Sequence, residues 1–165
     1  LHSEAYAWVA AHATDEPVAV LDLGGRNING SVRPLFPAAT VYRVLDIADG
    51  PNVDVVADAA TWTPDREYDV TVACELFEHT AVWLDICLTA FKALRSGGQF
   101  IATMAGPGRP VHSGVDGGAW LFPGEHYGNV EPDRLRAELE AAGFVGVVVD
   151  QQPSPADVRA VARKP

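Results

Sequence analysis

The chain has 165 residues, and its 12 Lys and Arg against 22 Asp and Glu give a formal charge of −10. With 48% hydrophobic and 21% charged residues it has the composition of an ordinary globular protein, and its length suits one domain over residues 1–165. Such acidity argues against a nucleic-acid partner, whose phosphate backbone needs clustered Lys and Arg, and no apolar run approaches the ~20 residues of a membrane span.

Cys74 and Cys87 are the only cysteines, too few for a disulfide framework or a four-thiolate zinc site. They read as reduced core residues, and with no signal-type leader expected, the reading is a cytoplasmic protein. Oligomeric state, monomer or homodimer, is left open at this point.

Residues 5–13 lack Gly and Pro and predict a helix with Ala5, Trp8, Val9 and His12 on one side. Residues 18–24 form a nearly continuous apolar run, suited to a strand buried on both faces. A helical start at 31–35 is kept short by Pro34 and Pro37. Residues 40–47, 53–57 and 68–74 predict three more strands. Residues 79–94 predict the clearest helix, with Trp83, Cys87, Phe91 and Leu94 on one face and Gly97-Gly98 as its stop. Residues 99–104 predict a fifth strand.

The glycine-rich stretch 105–130 is too long for a plain connection, and Trp120, Phe122 and Tyr127 argue against disorder. It reads as a substrate-side insert or lid. Glu131, Pro132 and Asp133 open a last helix with Leu135 and Leu139 facing inward, closed by Gly143. Residues 145–149 and 158–161 predict two final strands. The segment between them, 150–157, is too short for a helical crossover, so the pair must be antiparallel. The resulting class is α/β, with a mostly parallel seven-stranded sheet, an antiparallel C-terminal strand and helices on both faces.

In an open α/β sheet a ligand lies beyond the carboxyl ends of the strands. The first strand ends at Asp22 and runs into Gly24, Gly25 and Gly30, a loop whose backbone can turn sharply and approach a ligand. The second ends at Asp46, placed to accept hydrogen bonds from two ribose hydroxyls. The third ends at Asp58, a candidate acceptor for an adenine amino group. The fourth ends in Glu75, Glu78 and His79. A first-turn acid that favours the helix dipole accounts for Glu78 but not for the whole cluster.

These segments, Leu21-Asp-Leu-Gly-Gly with Gly30, Leu45-Asp46, Ala57-Asp58-Ala and Glu75-Leu-Phe-Glu-His79, resemble the class I S-adenosylmethionine-dependent methyltransferases over about residues 17–165. Leu94-Arg-Ser-Gly-Gly-Gln-Phe-Ile is similar to that family's turn into its fifth strand. One departure is clear. The family's glycines usually follow the acid by two, four and six residues, whereas here they follow Asp22 by two, three and eight, with Arg26 to Asn29 between. The stretch Asn-Ile-Asn-Gly-Ser-Val-Arg is similar to a variant glycine-loop subgroup.

The resemblance implies a Rossmann-like fold and S-adenosyl-L-methionine as cofactor. It implies that Gly24, Gly25 and Gly30 line the methionine part, with Asp22 and Asn29 counted among the binding residues. It puts Asp46 and Ile47 at the ribose, Asp58 and Ala59 at the adenine, and Glu75 near the sulfonium. An acidic mouth suits a cationic cofactor better than an anionic dinucleotide.

The expected activity is methyl transfer to a small-molecule acceptor. His79, His112 and His126 are the candidate bases should the acceptor have to lose a proton, and Glu125 is similar. The alternative is a catalytically inactive S-adenosylmethionine-binding module or a partner-dependent subunit. A nicotinamide reductase is disfavoured by the lack of a regular Gly-x-Gly-x-x-Gly. No metal site is expected, because His112, Glu125 and His126 lack a compact ligand spacing.

Overall fold

Alternation of apolar side chains explains how one sheet comes to be covered on both sides. The computed structural model describes all 165 residues. Its strands are β1 (Ala19–Leu23), β2 (Val41–Asp46), β3 (Val55–Val56), β4 (Tyr68–Cys74), β5 (Leu94–Ala105), β6 (Val145–Gln151) and β7 (Asp157–Arg163), and its helices are α1 (Ser3–His12), α2 (Trp83–Ala93) and α3 (Pro132–Ala141). They form a single sheet in the order β3-β2-β1-β4-β5-β7-β6.

Along β1, Leu21 and Leu23 point into one core, with α2 and α3. Val20 points into the other, with Val9 of α1. Every residue of β1 but Ala19 is buried, as a central parallel strand requires. The period of two also sends Asp22 to the Val20 side, where Tyr42 and Val44 of β2 lie.

The seven strands, the helices on both faces and the antiparallel pairing of β7 with β5 and β6 agree with the class read from the sequence. Three boundaries differ. The helix expected from residue 79 begins at Trp83, because Thr80 is extended (φ −142°, ψ 139°) and a separate 3-10 turn occupies Phe77–His79. The same helix ends without a glycine stop: Leu94 is already extended and pairs with Tyr68, so β5 starts five residues earlier than expected, with a register shift before Val70. The Gly97-Gly98 pair lies within β5 instead. Residues 53–57 contribute only the two-residue β3.

Parallel register puts the strand ends on one edge. Leu23 pairs with Leu45 and with Ala73, Leu45 pairs with Val55, and Cys74 pairs with Thr103. Gly24, Asp46 and Glu75 therefore emerge side by side. No helix is long and apolar enough to cross a membrane.

Candidate active site at the carboxyl edge of the sheet

The glycine loop begins with two positions that exclude side chains. Gly24 has φ +71°, and a Cβ there would stand 2.6 Å from Leu76 Cδ1. A Cβ on Gly25 would stand 2.5 Å from the Asp22 carboxyl carbon. The backbone thus wraps directly over Asp22, a cradle that only glycine permits. Asp22 itself is 2% exposed and accepts a hydrogen bond from the Tyr42 hydroxyl at 2.8 Å.

Burial pushes the Asp22 carboxyl up to about 7, opposed by the Tyr42 bond and reinforced by Asp46. This has a measurable consequence. Between the ordinary aspartate value of 3.8 and about 7, the folded chain holds a proton that the unfolded chain has lost. Asp22 therefore makes stability fall with rising pH, by about 1.4 kcal/mol per unit across that window. Relative to the parent, Asp22→Asn should gain stability as pH rises from 4 to 7. Urea unfolding curves of the two that run parallel with pH would contradict this.

A cavity of about 430 Å³ opens in front of the loop. Of the residues singled out in the sequence, Asp22, Gly24, Gly25, Asn29, Gly30, Glu75, His79 and His112 line it. Asp46, Ile47, Asp58 and Ala59 do not; they stand at the neighbouring strand ends. Asp46 accepts the Arg26 N–H at 3.2 Å and the Ala48 N–H at 3.0 Å, so it ties the glycine loop to the end of β2. Ile47 is 73% exposed, Asp58 is exposed and accepts from the Ala60 N–H, and Ala59 is buried. His126 is exposed and lies off the cavity.

Glu75 has φ +52°, a left-handed conformation uncommon for a side-chain-bearing residue. The turn aims its carboxylate at β5, where the Thr103 hydroxyl donates to it at 3.0 Å, and at His2, whose Nε2 lies 3.2 Å away. Burial would push Glu75 up, but His2, Thr103 and Arg109 together hold it below the usual range.

His2 and Arg109 also meet the fully buried Asp157, with Arg109 donating at 2.7 Å. Hydrogen bonding to Asp157 and then to Glu75 raises His2 to about 10. Sequence reasoning missed these three residues. They come from the residue just before α1, the loop after β5 and the start of β7, and no spacing links them.

Glu78, accounted for in the sequence as a first-turn acid of the helix after it, instead lies on the separate 3-10 turn and is wholly buried; its Oε1 accepts the Ala105 N–H at 3.1 Å. Burial, and then the Glu75 charge, push it up to about 8. His79 is pushed down to about 4, chiefly by burial and then by His112. The rings of His79, His112 and Tyr127 meet edge to face, with centroids 5.0 to 5.7 Å apart.

The stretch after β5 has no helix or strand until α3. It is held by its own polar contacts: Glu125 accepts from the Ser113 hydroxyl and the Gly114 N–H, and Tyr127 donates to the Pro110 carbonyl at 3.0 Å. The backbone N–H of Phe122, then Ser113 and Gly114, hold Glu125 below its ordinary value, so it serves as a loop brace. Trp120 is 86% exposed.

This site lies on the fold of the class I S-adenosylmethionine-dependent methyltransferases. No family model and no curated protein matches the chain by sequence. Among solved structures it is similar to 1,6-didemethyltoxoflavin-N1-methyltransferase of Burkholderia thailandensis, which holds 1,6-didemethyltoxoflavin and S-adenosylhomocysteine. The TM-score is 0.71 and the identity 18%, covering 98% of this chain and 76% of that one. An S-adenosylmethionine-dependent methyltransferase of Mesorhizobium loti matches at TM-score 0.69 and 16% identity, over 96% of this chain and 98% of that one. Phosphoethanolamine N-methyltransferase 2 of Haemonchus contortus, in complex with S-adenosyl-L-methionine, matches at TM-score 0.73 and 13% identity; the match covers 98% of this chain but only 52% of that one.

Proposed function

We propose that this chain binds S-adenosyl-L-methionine and transfers its methyl group to a small-molecule acceptor. The observation that carries the reading is the glycine cradle over Asp22, set beside Asp46 and Glu75 on one sheet edge and opening on the cavity.

The residues present fit the cofactor. The cavity, about 430 Å³, is within the usual range for small-molecule sites. Asp46 spends one bond per oxygen on backbone N–H groups, and a carboxylate has about four acceptor positions, so capacity remains for ribose hydroxyls. Glu75 suits the cationic end, joined by Asp22 once it ionises above about 7, while Arg109 and His2 offer partners for the methionine carboxylate. Asn29 and Gly30 border the same end, and Ile47, Asp58 and Ala59 are the residues for the adenosine end.

The bound cofactor supplies an electrophilic methyl on a positively charged sulfur. The chain then has to hold an acceptor in line with it and exclude water. Residues 105–130 serve as the lid, bringing His112 to the cavity wall and presenting Trp120 and Phe122 on its outer face. His79, lowered to about 4, is neutral at neutral pH but a weak base. His112 is the better-placed proton acceptor of the three histidines, and His126 would need the lid to move.

Calorimetry is the test. Micromolar binding of S-adenosylhomocysteine is expected, with none of nicotinamide dinucleotides. A folded sample that binds neither S-adenosylmethionine nor S-adenosylhomocysteine would refute the proposal. An acceptor screen read by homocysteine release then separates a methyltransferase from a binding module.

A further inference from the structure

Two adjacent residues on the 3-10 turn Phe77–His79 each carry a buried polar atom with no partner: Oε2 of Glu78 and Nδ1 of His79. Buried polar atoms in folded proteins are nearly always satisfied, and a buried carboxyl oxygen without any partner is costly whether or not it carries the proton. The turn comes up against the loop after β5, which adds His112. One ligand atom from each of Glu78, His79 and His112 lies within 4.8 Å of the other two.

The His112 tautomer is fixed by its surroundings. Its Nδ1 lies 3.2 Å from the Pro110 carbonyl, which can only accept, so Nδ1 carries the proton and Nε2 has a free lone pair. A backbone carbonyl holding the second nitrogen is the usual support of a metal-binding histidine. Gly114 packs against the face of the His79 ring, where a Cβ would stand 2.9 Å from its Cγ and 3.0 Å from its Nδ1.

We propose that Glu78, His79 and His112 bind one divalent first-row transition-metal ion in the wall of the cavity. One carboxylate oxygen and two imidazole nitrogens form a donor set of the zinc, iron or manganese type. Ligands on a tetrahedral zinc stand roughly 3.4 Å apart for bonds of about 2.0–2.1 Å.

The other acidic grouping, His2, Glu75 and Asp157, is a poor rival because Arg109 already supplies its cation. His79 and His112 both line the cavity, so an ion held there reaches the acceptor space. There it would lower the pKa of an acceptor hydroxyl, replacing the proton-acceptor role that only a metal-free His112 could play; that action, unlike the binding itself, rests on the methyltransferase reading.

The test is titration of the chelator-treated full chain with Co²⁺, followed by visible absorption and then by Zn²⁺ displacement. Saturation at one equivalent per chain is expected. His79→Ala and Glu78→Gln should weaken binding by more than about 100-fold, beyond the effect of outer-shell changes. His112→Phe, which keeps an aromatic ring on the loop, should weaken it at least about 10-fold and guards against misfolding of the buried variants. No saturable binding, or binding that all three variants retain, overturns the proposal. S-adenosylhomocysteine binding on the same samples keeps the two readings apart: binding of the nucleoside without the metal sinks only the metal site.

Discussion

Replacing Asp46 with alanine is expected to weaken S-adenosylhomocysteine binding by roughly 1.5–3 kcal/mol, or about 10- to 150-fold, as for loss of charged hydrogen bonds. Two effects act together. The first is the loss of the proposed acceptor for the ribose hydroxyls. The second is local: Asp46 anchors the Arg26 and Ala48 N–H groups, so its removal frees the start of the glycine loop from the end of β2. Asp46→Asn keeps one acceptor oxygen and should fall between the parent and the alanine variant. Calorimetry on all three chains checks this, and equal affinities would move the ribose site elsewhere. Asp58→Ala should cost less, since Asp58 is exposed and has one backbone partner.

Phe77→Ala should lower stability by about 3–5 kcal/mol, the cost of emptying a large aromatic site in a packed core. Phe77 is 1% exposed and stacks between Trp83, with ring centroids 5.7 Å apart, and Phe100, at 6.4 Å. It is the apolar anchor of the turn that carries Glu78 and His79. The loss is a large share of the ~5–15 kcal/mol by which domains are stable. Urea denaturation with an unchanged m-value reads it directly, and a change under about 1 kcal/mol would mean that the core closes over the gap. Because the anchor and the site share one turn, this variant should also reduce Co²⁺ binding where a surface change of similar size would not.

The strand-end acids were legible because strand ends in a parallel sheet share an edge. An apolar run that stops at Asp22, Asp46 or Glu75 therefore places that residue beside its neighbours. The helix at 79–94 was half legible. The spacing of Trp83, Cys87, Phe91 and Leu94 showed the buried face, but periodicity does not mark a start. The extended Thr80 and the preceding 3-10 turn go with the docking of Phe77 on Trp83 and Phe100, a tertiary contact that periodicity does not carry. Glu78 was misjudged for the same reason: its burial depends on the Ala105 N–H of β5, which is remote in sequence.

The sequence by itself determined the class of fold, the polarity of the sheet and the acidic edge, because these depend on local runs, turns and periods. Its −10 charge, first a reason to set nucleic acid aside, acquires a place in Asp22, Asp46 and Glu75 at that edge. The tertiary structure alone decided which side chains meet. It closed His2, Arg109, Glu75 and Asp157 into one ion network, and it set His112 against Glu78 and His79 across 33 residues of chain. Those contacts depend on how a long loop folds back over the sheet, and no short-range pattern of residues encodes that.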